Sequence, residues 1–229
     1  MIEEELEGEW TDPPVAGGLP VSDEVFISNI RENCKRDLLN LNAEQEHDKI
    51  MVMVCGGASA QHYLKEIKEK SHDPKYDIFC SNLTHDWLVS ESVIPEYFFM
   101  IDPKKEKAND VKKPKHKTKY LIGAQCDKGV FDNLKDFNVT RILTYCGTSN
   151  GNGVTDMQII NAFFDSKTFT PLEGGTMAGL RAMPLANILG YRTVEFYGFD
   201  SCFYDKDEKG EPIYYSYEKK RKENIIEAK

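Results

Sequence analysis

Aspartates that directly follow apolar, strand-like segments are the first candidates for chemistry in this sequence. Asp102 ends the segment FFMID, and Asp200 ends the segment FYGFD. A carboxylate in such a place adds nothing to apolar packing, but it can bind Mg²⁺ that carries a nucleotide's phosphates, or act as a base. Two of them suit a magnesium–phosphate site, so we predict Asp102 and Asp200 as catalytic and metal-binding residues. The alternative is that each caps the turn that follows it.

Two glycine-rich turns that precede helix-like segments offer backbone amides to an anion. The first follows the apolar run IMVMVC, and its Ser59 is placed to cap the next helix. The second opens the helix-like stretch GGTMAGLRAMPLANILG. The first contains neither a Walker nor a dinucleotide pattern, so an ordinary strand-to-helix turn is the alternative for it. The residues that we predict to bind a nucleotide are Gly56, Gly57, Ser59, Asn82, Gly174, Gly175 and Thr176.

Three further segments each allow a functional and an ordinary interpretation. GTSNGNG, at 147–153, is a ligand-binding loop or a flexible connection. Tyr214, Tyr215 and Tyr217 form an aromatic platform for a ring-bearing substrate or one side of an amphipathic element. Residues 104–119 contain eight lysines against Glu106 and Asp110. They form a solvated loop or an electropositive flap that attracts a polyanion.

Alternating strand and helix patterns indicate the elements that position these residues. The apolar runs predict strands over 50–55, 76–81, 96–102, 118–123, 140–146 and 192–198. The intervening patterns predict helices over 22–41, 60–70, 85–90, 127–135 and 174–190, the last ending at Gly190 and bent by Pro184. This order is typical of an α/β fold, a Rossmann-like and mostly parallel sheet flanked by helices, with an N-terminal helical arm. Because parallel strands end at one edge, we expect the candidate residues to share a crevice there.

The chain divides by composition into three parts. Residues 1–48 form an acidic arm and a helix, 49–204 the Rossmann-like domain, and 205–229 a C-terminal extension. The extension ends without a terminating signal, so we expect the native chain to continue.

Composition excludes several classes of protein. The formal net charge of −9 argues against general nucleic-acid binding, which leaves only the 104–119 loop for such a contact. No apolar run approaches the length of a membrane span, and the acidic N-terminus does not resemble a secretory signal. The six cysteines lack Cys-x-x-Cys spacing, so we expect reduced, buried thiols in a cytoplasmic protein rather than a zinc site.

These motifs together resemble the archaeal-type 6-hydroxymethylpterin diphosphokinase (MptE-like) family over about residues 49–204. The matching motifs are Gly57 and Ser59, Asn82, Asp102-Pro103, Gly175-Thr176, Leu189-Gly190-Tyr191 and Gly198-x-Asp200. The family's first turn reads Gly-x-Gly-Pro-Ser, whereas this chain has Cys55-Gly56-Gly57-Ala58-Ser59. The Rossmann-like bacterial sialyltransferases are similar in the same places, though less so.

The resemblance implies a nucleotide-dependent transferase, bacterial or phage-encoded, that acts in the cytoplasm of the cell or host. The main hypothesis is pyrophosphoryl transfer from ATP, with Mg²⁺, to a hydroxymethyl group of a pterin-like or other heterocyclic acceptor. ATP would lie over the first turn, with Asn82 near the nucleoside and Thr176 near phosphate. The second hypothesis is a glycosyltransferase that uses a CMP-sugar, with His85 as its base. The third is a non-catalytic nucleotide-binding or phage-associated interaction protein, favoured by the altered first turn. A homo-oligomer is compatible with each.

Overall fold

Six parallel strands form the central sheet. The computed structural model describes residues 21–145, 156–174 and 178–200, and the backbone of 205–206 and 212–213. The strands of the described residues are β1 Ile50–Val54, β2 Tyr76–Ser81, β3 Tyr97–Met100, β4 Lys119–Gly123, β5 Asn138–Ile142, β6 Thr144–Tyr145, β7 Leu172–Glu173, β8 Thr193–Tyr197, β9 Asp205–Lys206 and β10 Pro212–Ile213. The sheet has the order β5-β4-β3-β2-β1-β8, and every neighbouring pair is parallel. The α/β, Rossmann-like prediction is therefore confirmed.

Helices cover both faces of this sheet. They are α1 Asp23–Asn33, α2 Leu64–Lys70, α3 Thr84–Ser90, α4 Lys128–Asn133, α5 Asp156–Phe163 and α6 Ala178–Ile188. Shorter 3₁₀ helices occupy Ala58–Tyr63, Lys105–Asn109 and Ser166–Thr168. None of the described helices is long and apolar enough to cross a bilayer.

Alternate side chains of each strand enter two separate apolar layers. Val52 and Val54 of β1 pack in the layer that includes residues of α2, α3 and α4. Met51 and Met53 point the other way, into the layer built with α6. All four are fully buried, as expected for a strand with helices on both sides. This double covering leaves only the ends of the strands open to a ligand.

The first helix is shorter than its sequence pattern predicts. It was expected over 22–41 but ends at Asn33, with Cys34 as its C-terminal cap. The following chain is extended instead, and the amide of Leu41 donates to the carbonyl of Arg141 while the amide of Arg141 donates to that of Leu39. The backbone pairing with the segment of β5 replaces the helix here. Local periodicity cannot reveal such a distant partner.

Helix α5 has no counterpart among the predicted elements. Its Ile159 and Ile160 pack with Phe26 and Ile30 of α1 in a third apolar cluster. The short pair β6 and β7 lies beyond the main sheet, with Thr144 opposite Leu172. Gly190, in contrast, ends α6 with a φ of +86°, as predicted for a glycine cap.

Candidate functional site

The strand order reverses between β1 and β8, and the carboxyl edge of the sheet around this reversal is the expected ligand crevice. From β1 the sheet grows outward through β2, β3, β4 and β5, and the chain then returns to add β8 on the other side of β1. The connection from β1 leads to β2 on one side, and β8 lies on the other side of β1, so the order of strand addition reverses between them. Ligands in open parallel sheets bind at such a reversal, beyond the carboxyl ends of the strands.

Two turns meet closely at this crevice. The amide of Gly57, after β1, donates to the carbonyl of Gly198, after β8, over 2.8 Å. A Cβ atom at Gly57 would lie 2.5 Å from that carbonyl oxygen, which is far too close. Gly198 has a φ of +68°, and a Cβ there would lie 2.6 Å from the carbonyl oxygen of Cys55. Glycine is therefore required at 57 and 198 by the contact between the turns.

Asp200 is fixed to the first turn by Ser59. Its Oδ2 accepts a hydrogen bond from the Ser59 amide at 2.7 Å, and its Oδ1 accepts a short one from the Ser59 hydroxyl. Ser59 was expected to cap the helix through its own side chain. Instead, the carboxylate of Asp200, which lies 141 residues later in the chain, accepts from the Ser59 amide near the start of the 3₁₀ helix Ala58–Tyr63. One of the amides predicted for phosphate therefore already binds an anion.

Cys55 directly follows β1 and opens the same turn. It is buried, and burial raises the pKa of its thiol to about 12, with a further contribution from the Asp200 carboxylate. A thiol with this pKa is protonated at neutral pH. No disulfide joins the described cysteines, and Cys80 and Cys126 are also buried with a raised pKa.

Asn82 and Asp102 continue the crevice along the sheet. Asn82 follows β2 with a φ of +51°, a conformation that asparagine tolerates better than most residues. Asp102 follows β3, and its Oδ1 accepts from the amide of Lys104 at 3.1 Å across Pro103. Both side chains are half-buried. The structure therefore places these two predicted residues on the same edge as Gly57, Ser59 and Asp200.

The strand order separates the two aspartates. Three inter-strand spacings lie between β3 and β8, a distance of about 14 Å. Strand positions alone therefore do not bring Asp102 and Asp200 to one ion. Within 21–145, 156–174 and 178–200, no group of three or more His, Cys, Asp or Glu side chains is arranged to hold a metal.

The second glycine-rich turn is described only in part. Gly174 is exposed and has a φ of +137°, and α6 begins four residues later at Ala178. Gly175 and Thr176 lie outside the described residues, as do the 147–153 loop and the three C-terminal tyrosines. Gly179, the second residue of α6, packs against the ring of Phe199, where a Cβ would lie 2.2 Å from a ring carbon. The turn after β8 therefore contacts the start of α6 as well as the first turn.

His85 is not accessible to a substrate. It is fully buried in α3, and its Nδ1 bonds to Asp86 at 2.8 Å. Its Nε2 lies 3.3 Å from the hydroxyl of Tyr120, and its ring packs edge-on against Phe98. His85 is therefore part of the core and is badly placed to act as the base of a glycosyltransferase.

The lysine-rich segment is packed rather than detached. It runs from the carboxyl end of β3 to the amino end of β4, and its 3₁₀ helix contacts α4. The amides of Lys112 and Lys113 donate to the carboxylate of Asp86 at 2.8 and 3.2 Å. The segment meets a candidate residue at its beginning, where the amide of Lys104 donates to Asp102.

Two asparagines of α1 were missed by the sequence analysis although they reach this edge. Asn29 and Asn33 are buried and donate to the backbone that follows β3 and β4. Their spacing of four residues, which puts two amides on one helix face, is the signal that could have found them.

Comparison with known proteins supplies the family. A family model described as 6-hydroxymethylpterin diphosphokinase MptE-like matches residues 24–206, which include the whole described crevice. The chain belongs to this MptE-like family. Membership supports a transferase-like function for the protein.

The fold of this MptE-like protein also occurs among solved structures, of which that of a glycosyltransferase is one example. It is the structure of the MAf glycosyltransferase from Magnetospirillum magneticum AMB-1, with a TM-score of 0.57 and 15% sequence identity. The match covers 79% of this chain but only 29% of that one, so the MptE-like chain spans less than a third of that glycosyltransferase's length. No curated protein sequence matches the chain significantly.

Proposed function

We propose that this MptE-like protein is a nucleotide-dependent transferase that moves a pyrophosphoryl group from ATP to a hydroxymethyl group of a pterin-like or other heterocyclic acceptor. The observation that carries the proposal is the carboxylate of Asp200, held by Ser59 at the strand reversal in a chain of this family. Asp102 and Asn82 on the same edge provide further polar groups for two substrates.

The reaction forms one bond and breaks one. The acceptor hydroxyl oxygen bonds to the β-phosphorus of ATP, and the bond from that phosphorus to the oxygen bridging to the α-phosphorus breaks. AMP leaves with that electron pair, the acceptor gains a diphosphate, and its hydroxyl proton passes to solvent. Such transfers depend mainly on positioning and charge stabilisation, so a protein nucleophile is not needed. The buried, protonated thiol of Cys55 is consistent with this.

Residue roles follow from position along the edge. The turn of Gly56, Gly57 and Ser59 would lie under the phosphates, and Asn82 beside the nucleoside. Asp102 would orient the acceptor hydroxyl. The second turn, at Gly174, Gly175 and Thr176, would stabilise phosphate charge by its amides and hydroxyl.

Magnesium fits Asp102 better than Asp200. Mg²⁺ is usually held by one or two carboxylates together with substrate phosphates and water, so a protein cage of ligands is not required. Asp102 has one described bond, to the Lys104 amide, whereas both oxygens of Asp200 bond to Ser59. When bound, the ion would neutralise phosphate charge. Asp200 would hold the first turn and would repel a phosphate unless a cation lay between them.

A glycosyltransferase that uses a CMP-sugar is the second candidate, favoured by the fold shared with the MAf glycosyltransferase. Such a reaction needs a general base, and the burial of His85 leaves Asp102 as the carboxylate that could serve. The two candidates therefore use the same edge of the sheet with different nucleotides.

Ligand-dependent thermal unfolding and product analysis separate the candidates. Stabilisation by ATP that requires Mg²⁺, and formation of AMP rather than ADP with a hydroxymethylpterin, would support pyrophosphoryl transfer. Stabilisation by CMP or a CMP-sugar alone would support glycosyl transfer. No response to any of these nucleotides would refute both, and would leave the non-catalytic interaction protein.

Asp102→Asn tests the role of Asp102 against a matched control variant. Asp73 accepts from the Lys75 amide two residues ahead at 2.9 Å, the same local bond, but before β2 at the opposite edge. We expect Asp102→Asn to abolish most of the magnesium-dependent stabilisation by ATP, and Asp73→Asn to preserve it. Asp200→Asn should also remove it, and equal responses in all three variants and the original protein would exclude both carboxylates from the site.

A further inference from the structure

The N-terminal helix covers part of the carboxyl edge of the sheet. Ala124 follows β4 directly and Leu143 follows β5, and both are fully buried. They belong to one apolar cluster with Phe26 and Ile30 of α1 and with residues of α5. The part of the edge formed by β4 and β5 is therefore closed, whereas the candidate residues after β1, β2, β3 and β8 remain partly exposed.

Buried amide groups fasten α1 to this edge. The Nδ2 of Asn33 donates to the carbonyls of Ala124 and Cys126 at 2.9 and 2.8 Å. The Nδ2 of Asn29 donates to the carbonyl of Gln125 at 2.9 Å and to that of Pro103 at 3.2 Å. The Nδ2 of Asn33 therefore holds the turn after β4, while that of Asn29 joins this turn to the one after β3. The Oδ1 of Asn33 accepts from the Nε of Arg36 at 3.1 Å.

The contact of Asn29 with Pro103 lies next to Asp102. Pro103 is the central residue of the turn in which Asp102 accepts from the Lys104 amide. On the other side of Asp102, the Nε2 of Gln125 donates to the carbonyl of Ile101 at 3.0 Å. Both residues that flank Asp102 are therefore held by side chains from outside β3. The carboxylate itself is left half-buried at the edge.

We infer that α1 is the wall of the candidate site on the β4 side and that Asn29 is a positioning residue, which fixes the Asp102 turn. The structural part stands on these bonds. The consequence for substrate rests on the proposed function, because Asp102 is there the group that orients the acceptor. A ligand is confined to the part of the edge between α1 and β8.

Asn29→Ala and Asn33→Ala form a matched pair for the test. Both remove one buried amide that donates to two carbonyls from the same helix, and the first alone frees Pro103. Asn33→Ala also removes the Oδ1 that accepts from Arg36, away from Asp102. The first measurement is the exchange rate of the Lys104 amide proton by NMR in the full chain. Loss of one buried hydrogen bond is expected to raise this rate about tenfold in Asn29→Ala. We expect Asn33→Ala to leave it close to that of the original protein.

The exchange measurement needs no nucleotide, so its result is independent of the proposed reaction. Equal Lys104 exchange in the two variants would overturn the inference. Should Asn29→Ala fail to fold, Asn29→Leu keeps the side-chain volume without the donor and is read by the same measurement.

A second measurement addresses the substrate. If Mg²⁺ and ATP raise the unfolding temperature of the original protein, Asn29→Ala should lose at least half of that shift, whereas Asn33→Ala should retain it. Equal shifts in the two variants would overturn the role of Asn29 at the site. No shift in the original protein would refute the proposed function and leave the exchange result to decide whether Asn29 fixes the turn.

Discussion

At the scale of single residues, two neighbouring glycines of the first turn have different tasks. A Cβ on Gly57 would lie 2.5 Å from the Gly198 carbonyl and 2.6 Å from Asp200 Oδ2. A Cβ on Gly56 would meet nothing nearer than the Thr84 hydroxyl, at 4.0 Å. Gly56 leaves the turn open towards solvent, whereas Gly57 permits the turns after β1 and β8 to touch.

Gly57→Ala is therefore expected to destabilise the protein and Gly56→Ala is not. Relief of the clash must move backbone atoms of another turn, which costs about 1–3 kcal/mol. Gly56→Ala should change the free energy of unfolding by less than about 0.5 kcal/mol. Urea denaturation of the two variants measures both values.

The same pair reports on the attachment of Asp200. Displacement of its carboxylate by the new methyl group of Gly57→Ala should break the bonds to Ser59 and remove any response to nucleotide. An unchanged free energy of unfolding in Gly57→Ala would mean that the two turns are not in contact.

At the scale of elements, Asp86 joins α3 to the lysine-rich connection between β3 and β4. It is buried, and burial alone would raise the pKa of its carboxyl group. Hydrogen bonds from His85 and from the amides of Lys112 and Lys113 outweigh that effect and hold the pKa below its usual range. The carboxylate of Asp86 thus holds the connection to α3 through the backbone amides of Lys112 and Lys113.

Asp86→Asn should reduce stability in a way that depends on pH. Because the pKa is lowered in the folded state, the carboxylate stabilises the protein fully above its unfolded pKa of about 3.9 and less as pH falls through the folded value. At neutral pH we expect the variant to lose about 1.5–3 kcal/mol of unfolding free energy. Its stability should also fall less steeply than that of the original protein below about pH 4.

Asp132→Asn is the control for this experiment. Asp132 pairs with Arg36 at 2.7 Å, but its side chain is 56% exposed. An exposed pair contributes at most about 1 kcal/mol, so this variant should behave nearly as the original protein. Identical acid limbs in Asp86→Asn and the original protein would contradict the role given to Asp86.

At the scale of the whole molecule, the helix before β1 shares the core of the sheet domain. Phe26 and Ile30 are buried with residues of β5's end and α5, and Leu41 is buried in the layer of α6. Each such side chain contributes about 1.5–3 kcal/mol when it leaves water. Together they are comparable to the whole stability of an ordinary domain.

Removal of residues 1–48 should therefore abolish cooperative thermal unfolding. Ala124 and Leu143, which are buried in the intact chain, would lose their covering, and the backbone pairing of Leu41 with Arg141 would be lost as well. Circular dichroism during heating measures the transition. A chain that begins at 21 keeps Ser22, the N-cap of α1, and is the control that should still unfold cooperatively.

An intact transition in the shorter chain, from residue 49 onward, would show that the sheet folds without its N-terminal helix. It would also separate α1 from the candidate site. The predicted division of the chain at 48 would then describe an independent domain.

Local patterns were sufficient to predict the six strands of the main sheet and the polar residues that follow them. The run IMVMVC predicted β1 within one residue, because a strand covered on both faces must be apolar throughout. Parallel direction then implied that Gly57, Asn82, Asp102 and Asp200 share one edge, and they do. Helix α5 was not predicted, because no local pattern over its residues was interpreted as a helix.

The sequence by itself determined the elements and the edge at which they end, since apolar periodicity and turn residues act over a few neighbours. Only the tertiary structure decided that β8 lies beside β1, that Asp200 is bound to Ser59, and that His85 is buried. It also decided that Asn29 reaches Pro103 from a helix 74 residues earlier. These contacts join residues far apart in the chain, and the free energy that selects them comes from packing and hydrogen bonding across the whole sheet.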